Sequence, residues 1–192
     1  ASTPVLGKGA YASVRLAHDS RGAPVAVKTY ERDAVKSDRH IARHLQNETW
    51  LVAQKLEHAN IIAPHKVRRK AHGVELEMEF ASGGDLGDFV KRRTTALDED
   101  EARCIFRQVV DAVEYLHSRG IAHRDIKLEN IVFDEARRVR LVDFGAARAG
   151  AHALCSSFQG TPAYMAPECH ECVPHAAARA DMWSLGVLLH TL

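Results

Sequence analysis

Apolar positions change their spacing twice along the chain. Over residues 5–30 two β-rich runs stand out, Val5-Leu6 through Leu16-Ala17 and Val25-Ala26-Val27-Lys28-Thr29. Asp19-Ser20-Arg21-Gly22 between them has hairpin-turn chemistry, so strands joined by a tight turn are predicted. Ile41, Leu45, Val52 and Leu56, with Trp50 and Leu51 beside them, then recur at helical spacing and predict one amphipathic helix over about residues 36–57. Further strands fit Ile61-Ile62 onward and Val74 to Phe80, before Ala81-Ser82-Gly83-Gly84 breaks the pattern. Helical spacing dominates after that break. Asp98 with Glu101 three residues on opens a helix in the manner of a capping box, and Ala102, Ile105, Phe106, Val109, Val113 and Leu116 form its apolar face. Gly120 is its predicted stop. Residues 181–192 read as a second apolar helix. A strand-rich part followed by a helical one predicts an α+β fold, divided as residues 1–81 and 82–192.

Composition removes several function classes. A hydrophobic share of 46% is too high for a disordered chain. Twenty-six Lys and Arg against 25 Asp and Glu give a formal charge of +1, without the basic excess of a nonspecific nucleic-acid binder. The opening Ala-Ser-Thr-Pro has no charged n-region and apolar h-region, and no run approaches the roughly 18 apolar residues of a spanning helix. Neither a nucleic-acid nor a membrane partner is therefore expected. Cys104, Cys155, Cys169 and Cys172 are too scattered for a disulfide framework, which predicts a reducing, intracellular setting, cytoplasmic with the nucleus also open.

Three motifs carry chemistry. Gly7-Lys8-Gly9-Ala10-Tyr11-Ala12-Ser13-Val14 follows a strand, and glycines there let backbone N–H groups approach phosphate oxygens with no Cβ in the way. Alone, that pattern also describes many plain hairpins. Lys28 ends an apolar strand, where a lysine usually snorkels to solvent; turned inward at phosphates it needs a carboxylate, which Glu48 on the predicted helix can supply. The third motif is His123-Arg124-Asp125-Ile126-Lys127-Leu128-Glu129-Asn130, followed by Leu141-Val142-Asp143-Phe144-Gly145. Asp143 and Asn130 offer the hard oxygen ligands that magnesium prefers. Asp125 is left to orient and deprotonate a hydroxyl, and Lys127 to stabilise charge on a transferred phosphoryl group.

Taken in order, these motifs resemble the eukaryotic protein kinases, and the resemblance covers essentially all 192 residues. Gly160-Thr161-Pro162-Ala163-Tyr164-Met165-Ala166-Pro167-Glu168 completes the set, and Asp181-Met182-Trp183-Ser184-Leu185-Gly186 looks like the start of the family's central helix. Lys127 and Thr161 follow the serine/threonine pattern. The phrase His-Arg-Asp-Ile-Lys-Leu-Glu-Asn is similar to that of calmodulin-dependent and AMP-activated-like kinases.

The resemblance implies a bilobal fold: a small β-rich lobe with one helix and the hinge over 1–81, and an incomplete helical lobe over 82–192. It implies ATP and Mg2+ as cofactors. ATP would lie under Leu6, Gly7, Lys8 and Gly9, with adenine among Val14, Ala26 and Val132, at a hinge of Glu79, Phe80 and Ala81 with Met78 as gatekeeper. Lys28, paired with Glu48, would hold phosphates, Asp143 and Asn130 the magnesium ions, and Asp125, Lys127 and Thr161 the reacting hydroxyl. Asp85 and Glu129 would face ribose or a basic residue upstream of the target serine or threonine; Thr191 stands where strongly basophilic members carry glutamate. Ser157 would take an activating phosphate from an upstream kinase, met by Arg124, Arg148 and His44. The competing reading leaves Ser156 and Ser157 as solvated loop residues.

Departures are small: Ala12 replaces the third loop glycine and Leu128 a common proline. Cys169-His170-Glu171-Cys172 with His175 has the chemistry of half a zinc site, but reduced cysteines in a surface loop are the expectation. The rival function is a pseudokinase scaffold. It draws on the stop at Leu192, which would deprive Glu168 of its usual arginine and expose Leu185, Val187, Leu188 and Leu189. A small-molecule phosphotransferase fits the catalytic loop but not the Ala-Pro-Glu segment.

Overall fold

Val5–Lys8 (β1), Ser13–His18 (β2) and Pro24–Glu31 (β3) form an antiparallel meander at the start of the chain. The computed structural model describes residues 4–192, which fall into two compact units. The first runs to Glu57 and resumes over Ile62–Ala81; the second joins His58–Ile61 to Ser82–Leu192. The short segment before Ile62 thus folds with the second unit.

The predicted turn between β2 and β3 is built by Asp19, whose carboxylate accepts from the N–H groups of Arg21 and Ala23 at 2.8 and 2.9 Å. Beyond β3 come Arg32–Ser37 (α1), Arg39–Gln54 (α2), Lys66–Arg69 (β4) and Gly73–Glu79 (β5). The sheet is antiparallel in the order β1-β2-β3-β5-β4, and Tyr30, Leu51 and Leu76 are fully buried. Gly73 meets a steric need, because a Cβ there would collide with the Tyr30 carbonyl oxygen.

Two expectations for this unit are corrected. The single helix over 36–57 is two helices, broken at Asp38, whose backbone is extended and whose carboxylate accepts from His40 N at 2.6 Å and Ile41 N at 3.3 Å. An aspartate satisfying its own helix's orphan N–H groups starts a new helix more readily than it continues an old one. The strand expected from Ile61 begins only at Lys66, since Pro64 has no N–H to give to a ladder. Ile61 itself bridges Leu141 in the second unit.

The second unit contains Leu86–Lys91 (α3), Glu99–Ser118 (α4), Ile121–Ala122 (β6), Ile131–Phe133 (β7), Val139–Leu141 (β8), Arg148–Ala149 (β9), Leu154–Cys155 (β10), Pro167–His170 (α5), His175–Ala176 (β11) and Ala177–Thr191 (α6). Its strands form three small antiparallel pairs, β6-β9, β7-β8 and β10-β11. Asp98 caps α4 as expected by accepting from Glu101 N at 2.8 Å, and Gly120 follows its end at φ 70°. The Glu101 carboxylate does not close the capping box; it pairs with Arg93 at 3.0 Å. Ile105, Val109, Ala112, Val113 and Leu116 bury the inner face of α4.

The helix α6 begins four residues before the predicted position and packs on α4 and β6. Leu185 and Leu188 are therefore buried, against the expectation that they are exposed. Val187 is half-buried, and the exposed apolar side chains of α6 are Met182, Trp183 and Leu189. Cys169 is likewise buried, in the short helix α5 rather than in a surface loop, while Cys172 is exposed. Among the described residues no helix is long and apolar enough to cross a membrane.

Candidate active site

In the first unit the β-ladders align the predicted nucleotide residues. Val14 lies opposite Lys28, and Ala26 lies opposite Met78. Ala26 and Lys28 are two residues apart, so these four side chains share one face of the sheet. Lys28 and Glu48 are both buried, and Lys28 Nζ donates to Glu48 Oε1 at 3.0 Å. Tyr30 Oη donates to the other carboxylate oxygen at 2.7 Å, so both Glu48 oxygens are engaged. Leu6, Lys8 and Glu79 are exposed, and Phe80 and Ala81 half-buried.

The glycine hairpin has room for a ligand. A Cβ at Gly7 would meet nothing within 4 Å, and one at Gly9 only the Ala12 carbonyl oxygen at 3.7 Å. The fold imposes no steric need for glycine at these two positions. Open backbone beside a buried, carboxylate-aligned lysine is a donor set that fits a polyphosphate.

In the second unit the groups expected to meet the reacting hydroxyl form a closed cluster. Thr161 Oγ1 donates to Asp125 Oδ1 at 2.7 Å, and Lys127 Nζ reaches Thr161 Oγ1 at 2.7 Å and Asp125 Oδ2 at 2.9 Å. Asn130 Nδ2 donates to the Asp125 carbonyl at 2.8 Å and to Asp125 Oδ2 at 3.0 Å. Burial pushes the Asp125 carboxyl up, but the hydrogen bond and charge of Lys127 and the Thr161 hydroxyl outweigh it and hold it below the usual carboxylate range. With its nitrogen engaged by Asp125, the amide oxygen of Asn130 is the hard donor that this side chain has for a metal.

The Asp143 segment is tied to this cluster by the bond from Val142 N to Asn130 O at 2.9 Å. Asp143 is exposed and left-handed at φ 62°, a conformation that non-glycine residues hold only when their surroundings impose it. Here Phe144, completely buried and edge-on to His123 at 5.0 Å, is the anchor. Oxygen donors from Asp143 and Asn130 match the ligand chemistry of magnesium. Asp85 caps α3 through Asp88 N at 2.8 Å and bridges Val132; Glu129 is exposed.

The residue that the motifs did not assign is Asp181. It is fully buried and accepts from His123 N at 2.9 Å and Arg124 N at 2.7 Å, with His117 Nε2 2.8 Å from the same Oδ2. Arg124 has φ 65°, so Asp181 pins a strained turn beside Asp125. One signal was available: Asp181 is the lone carboxylate in a helix that is otherwise largely apolar.

The predicted regulatory residues fall in both units. Arg124 Nη1 donates to Ser157 Oγ at 3.1 Å and its Nε to Ala146 O at 2.7 Å. Arg148 Nε is buried and has no hydrogen-bond partner among the described residues. His44 belongs to the first unit, where its ring packs on Tyr11. Gly160, at φ 115°, runs so close to the turn at Arg124 that a Cβ would approach Arg124 O to 2.7 Å. The cysteine cluster holds its own contacts, with Cys169 Sγ and Cys155 Sγ 3.3 and 3.6 Å from His175 Nε2. Among the described residues no group of three or more His, Cys, Asp or Glu side chains is placed to hold a metal ion, this cluster included.

The family described as protein kinase domain matches residues 1–192. The chain is 39% identical over 188 residues to NUAK family SNF1-like kinase 2 of Rattus norvegicus, covering 97% of the chain and 29% of that protein. It is 36% identical over 189 residues to NUAK family SNF1-like kinase 1 of Homo sapiens, covering 97% of the chain and 28% of that protein. Identity to CBL-interacting protein kinase 3 of Oryza sativa subsp. japonica is 35% over 192 residues, covering 97% of the chain and 42% of the relative. The chain thus spans less than half the length of these relatives.

Proposed function

The chain belongs to the protein kinase family, and we propose that it transfers the γ-phosphoryl group of magnesium ATP to serine or threonine hydroxyls of proteins. The observation that carries this reading is the Asp125–Lys127–Thr161–Asn130 cluster. Asp125, held ionised, would accept the hydrogen bond of an incoming hydroxyl and take its proton as the new P–O bond forms. Lys127 would offset charge on the transferred group, and Thr161 and Asn130 keep the Asp125 carboxylate in one orientation. Lys28, aligned by Glu48, would hold phosphate oxygens in the first unit. Magnesium, held by Asp143 and Asn130, would supply charge neutralisation at the phosphates. A scaffold without activity is the weaker reading, because every residue assigned to chemistry is present.

Three finer readings accompany this one. Phosphate on Ser157, added by an upstream kinase, would meet the Arg124 guanidinium already on its hydroxyl and the buried Arg148 Nε, which has no hydrogen-bond partner among the described residues. Asp85 and Glu129 would favour a substrate with one basic residue upstream of the target. Dependence on ATP and the free cysteines point to an intracellular setting.

Phosphate incorporation into serine, threonine and tyrosine peptides, with and without an upstream arginine, tests these readings. Transfer to serine or threonine that falls by about a hundredfold or more in Asp125→Asn is expected. Undiminished transfer by that variant, or preference for tyrosine, overturns the mechanism. Ser157→Ala with full activity removes the switch.

A further inference from the structure

Tyr11 occupies the tip of the β1–β2 hairpin, in a turn closed by the bond from Gly9 N to Ala12 O at 3.0 Å. Its side chain is well exposed, yet its ring packs on the imidazole of His44 in α2, with centroids 4.0 Å apart and planes 32° from parallel. His44 lies one helical turn before Glu48, so both project from one face of α2. Glu48 holds Lys28, and Lys28 lies opposite Val14, three residues after Tyr11 on the same hairpin. These contacts close a circuit: hairpin tip to α2 through the ring stack, α2 to β3 through the ion pair, and β3 back to the hairpin through the ladder. Without the stack, a tip flanked by Gly7 and Gly9 and exposed along β1 has little besides the ladder to hold it.

We propose that the Tyr11–His44 stack is a clasp that holds the glycine hairpin to α2, making both residues positioning residues for nucleotide phosphates. They act through the hairpin backbone and the Lys28–Glu48 pair and touch no reacting atom. The proposal rests on the nucleotide-binding reading above. An aromatic pair of this geometry is worth a factor of about two to twelve in an equilibrium.

The test uses a fluorescent ATP analogue with magnesium, and amide hydrogen exchange over residues 9–12 without nucleotide. Tyr11→Ala and His44→Ala are each expected to weaken nucleotide binding by about two- to twelvefold and to speed hairpin exchange, while Tyr11→Phe stays within about twofold of the parent. The double alanine variant should be no weaker than the weaker single, because either substitution removes the whole stack. Effects that multiply in the double variant, or binding and exchange unaltered by the singles, overturn the clasp. If the parent chain binds no nucleotide, the nucleotide reading fails. The exchange measurement then decides the clasp alone: faster exchange in both single variants upholds it, and unchanged exchange removes it.

Discussion

Replacing Asp181 with asparagine should weaken the fold and the catalytic loop together. The carboxylate is completely buried and accepts two backbone N–H groups, at 2.7 and 2.9 Å, and lies 2.8 Å from His117 Nε2. Asparagine keeps one acceptor oxygen and puts an NH2 where the other was. If its oxygen stays with Arg124 N, the His123 N–H faces a donor and is left buried without a partner. An unsatisfied buried donor costs about 1–3 kcal/mol. At about 2–4 °C per kcal/mol for a chain of this size, the variant should melt roughly 2–12 °C lower. Alanine, which strands both N–H groups, should fall about twice as far. Because the same bonds hold Arg124 at φ 65° beside Asp125, phosphotransfer should drop more steeply than melting implies at a temperature where both proteins are folded. Thermal melting followed by circular dichroism, exchange at the His123 and Arg124 amides, and peptide phosphorylation read the three consequences. An asparagine variant that melts within about 1 °C of the parent and keeps both amides protected would refute the anchoring role.

Three further outcomes are expected. Lys28→Met removes the ammonium paired with the buried Glu48 carboxylate while Tyr30 still donates to its other oxygen; breaking such a pair costs about 3–5 kcal/mol, and adding Glu48→Leu should recover part of the loss in melting temperature while nucleotide binding stays impaired. Lys127 and Thr161 hold the Asp125 carboxyl below the usual carboxylate range, so it contributes stability that is present above the unfolded value and lost as pH falls through the lower, folded one. Acid titration monitored by circular dichroism should then show Asp125→Asn with a shallower loss below about pH 4, and superimposable curves count against the argument. Gly160→Ala, meeting the Arg124 carbonyl at φ 115°, should lower melting by more than Gly22→Ala, which faces open space at φ 83°. Equal effects would show that the close approach carries no energy.

The readable part of this protein lies in contacts between residues close in sequence. The eight residues from His123 to Asn130, and Asp143-Phe144-Gly145 after them, lie in short stretches, so residue type and order were enough to carry the resemblance to the kinase family to which the chain belongs. The same is true of β2, β3 and β5, of the Asp98 cap and of the Gly120 stop, where alternation and capping act within a ladder or a turn. Even within that range competing local chemistry escaped the pattern. Asp38 splits a continuous apolar periodicity by capping α2, and Pro64 delays a strand that the isoleucines announce.

Positions whose role depends on distant partners were decided by packing. Asp181 binds backbone 57 and 58 residues away; a lone carboxylate in a largely apolar helix marks it as unusual, but nothing along the chain states that its oxygens will be divided between the N–H groups of His123 and Arg124. Leu185 and Leu188 share an apolar run with Leu189, but the seat of α6 on α4 and β6 buries the first two and leaves the third exposed. Tyr11 and His44, a loop residue and a helix residue, become a pair once the hairpin and α2 pack in one unit. The physical reason is one of range: residue type and spacing report hydrogen bonds and faces within a few residues, whereas burial and ring stacking arise from surfaces brought together by the whole chain.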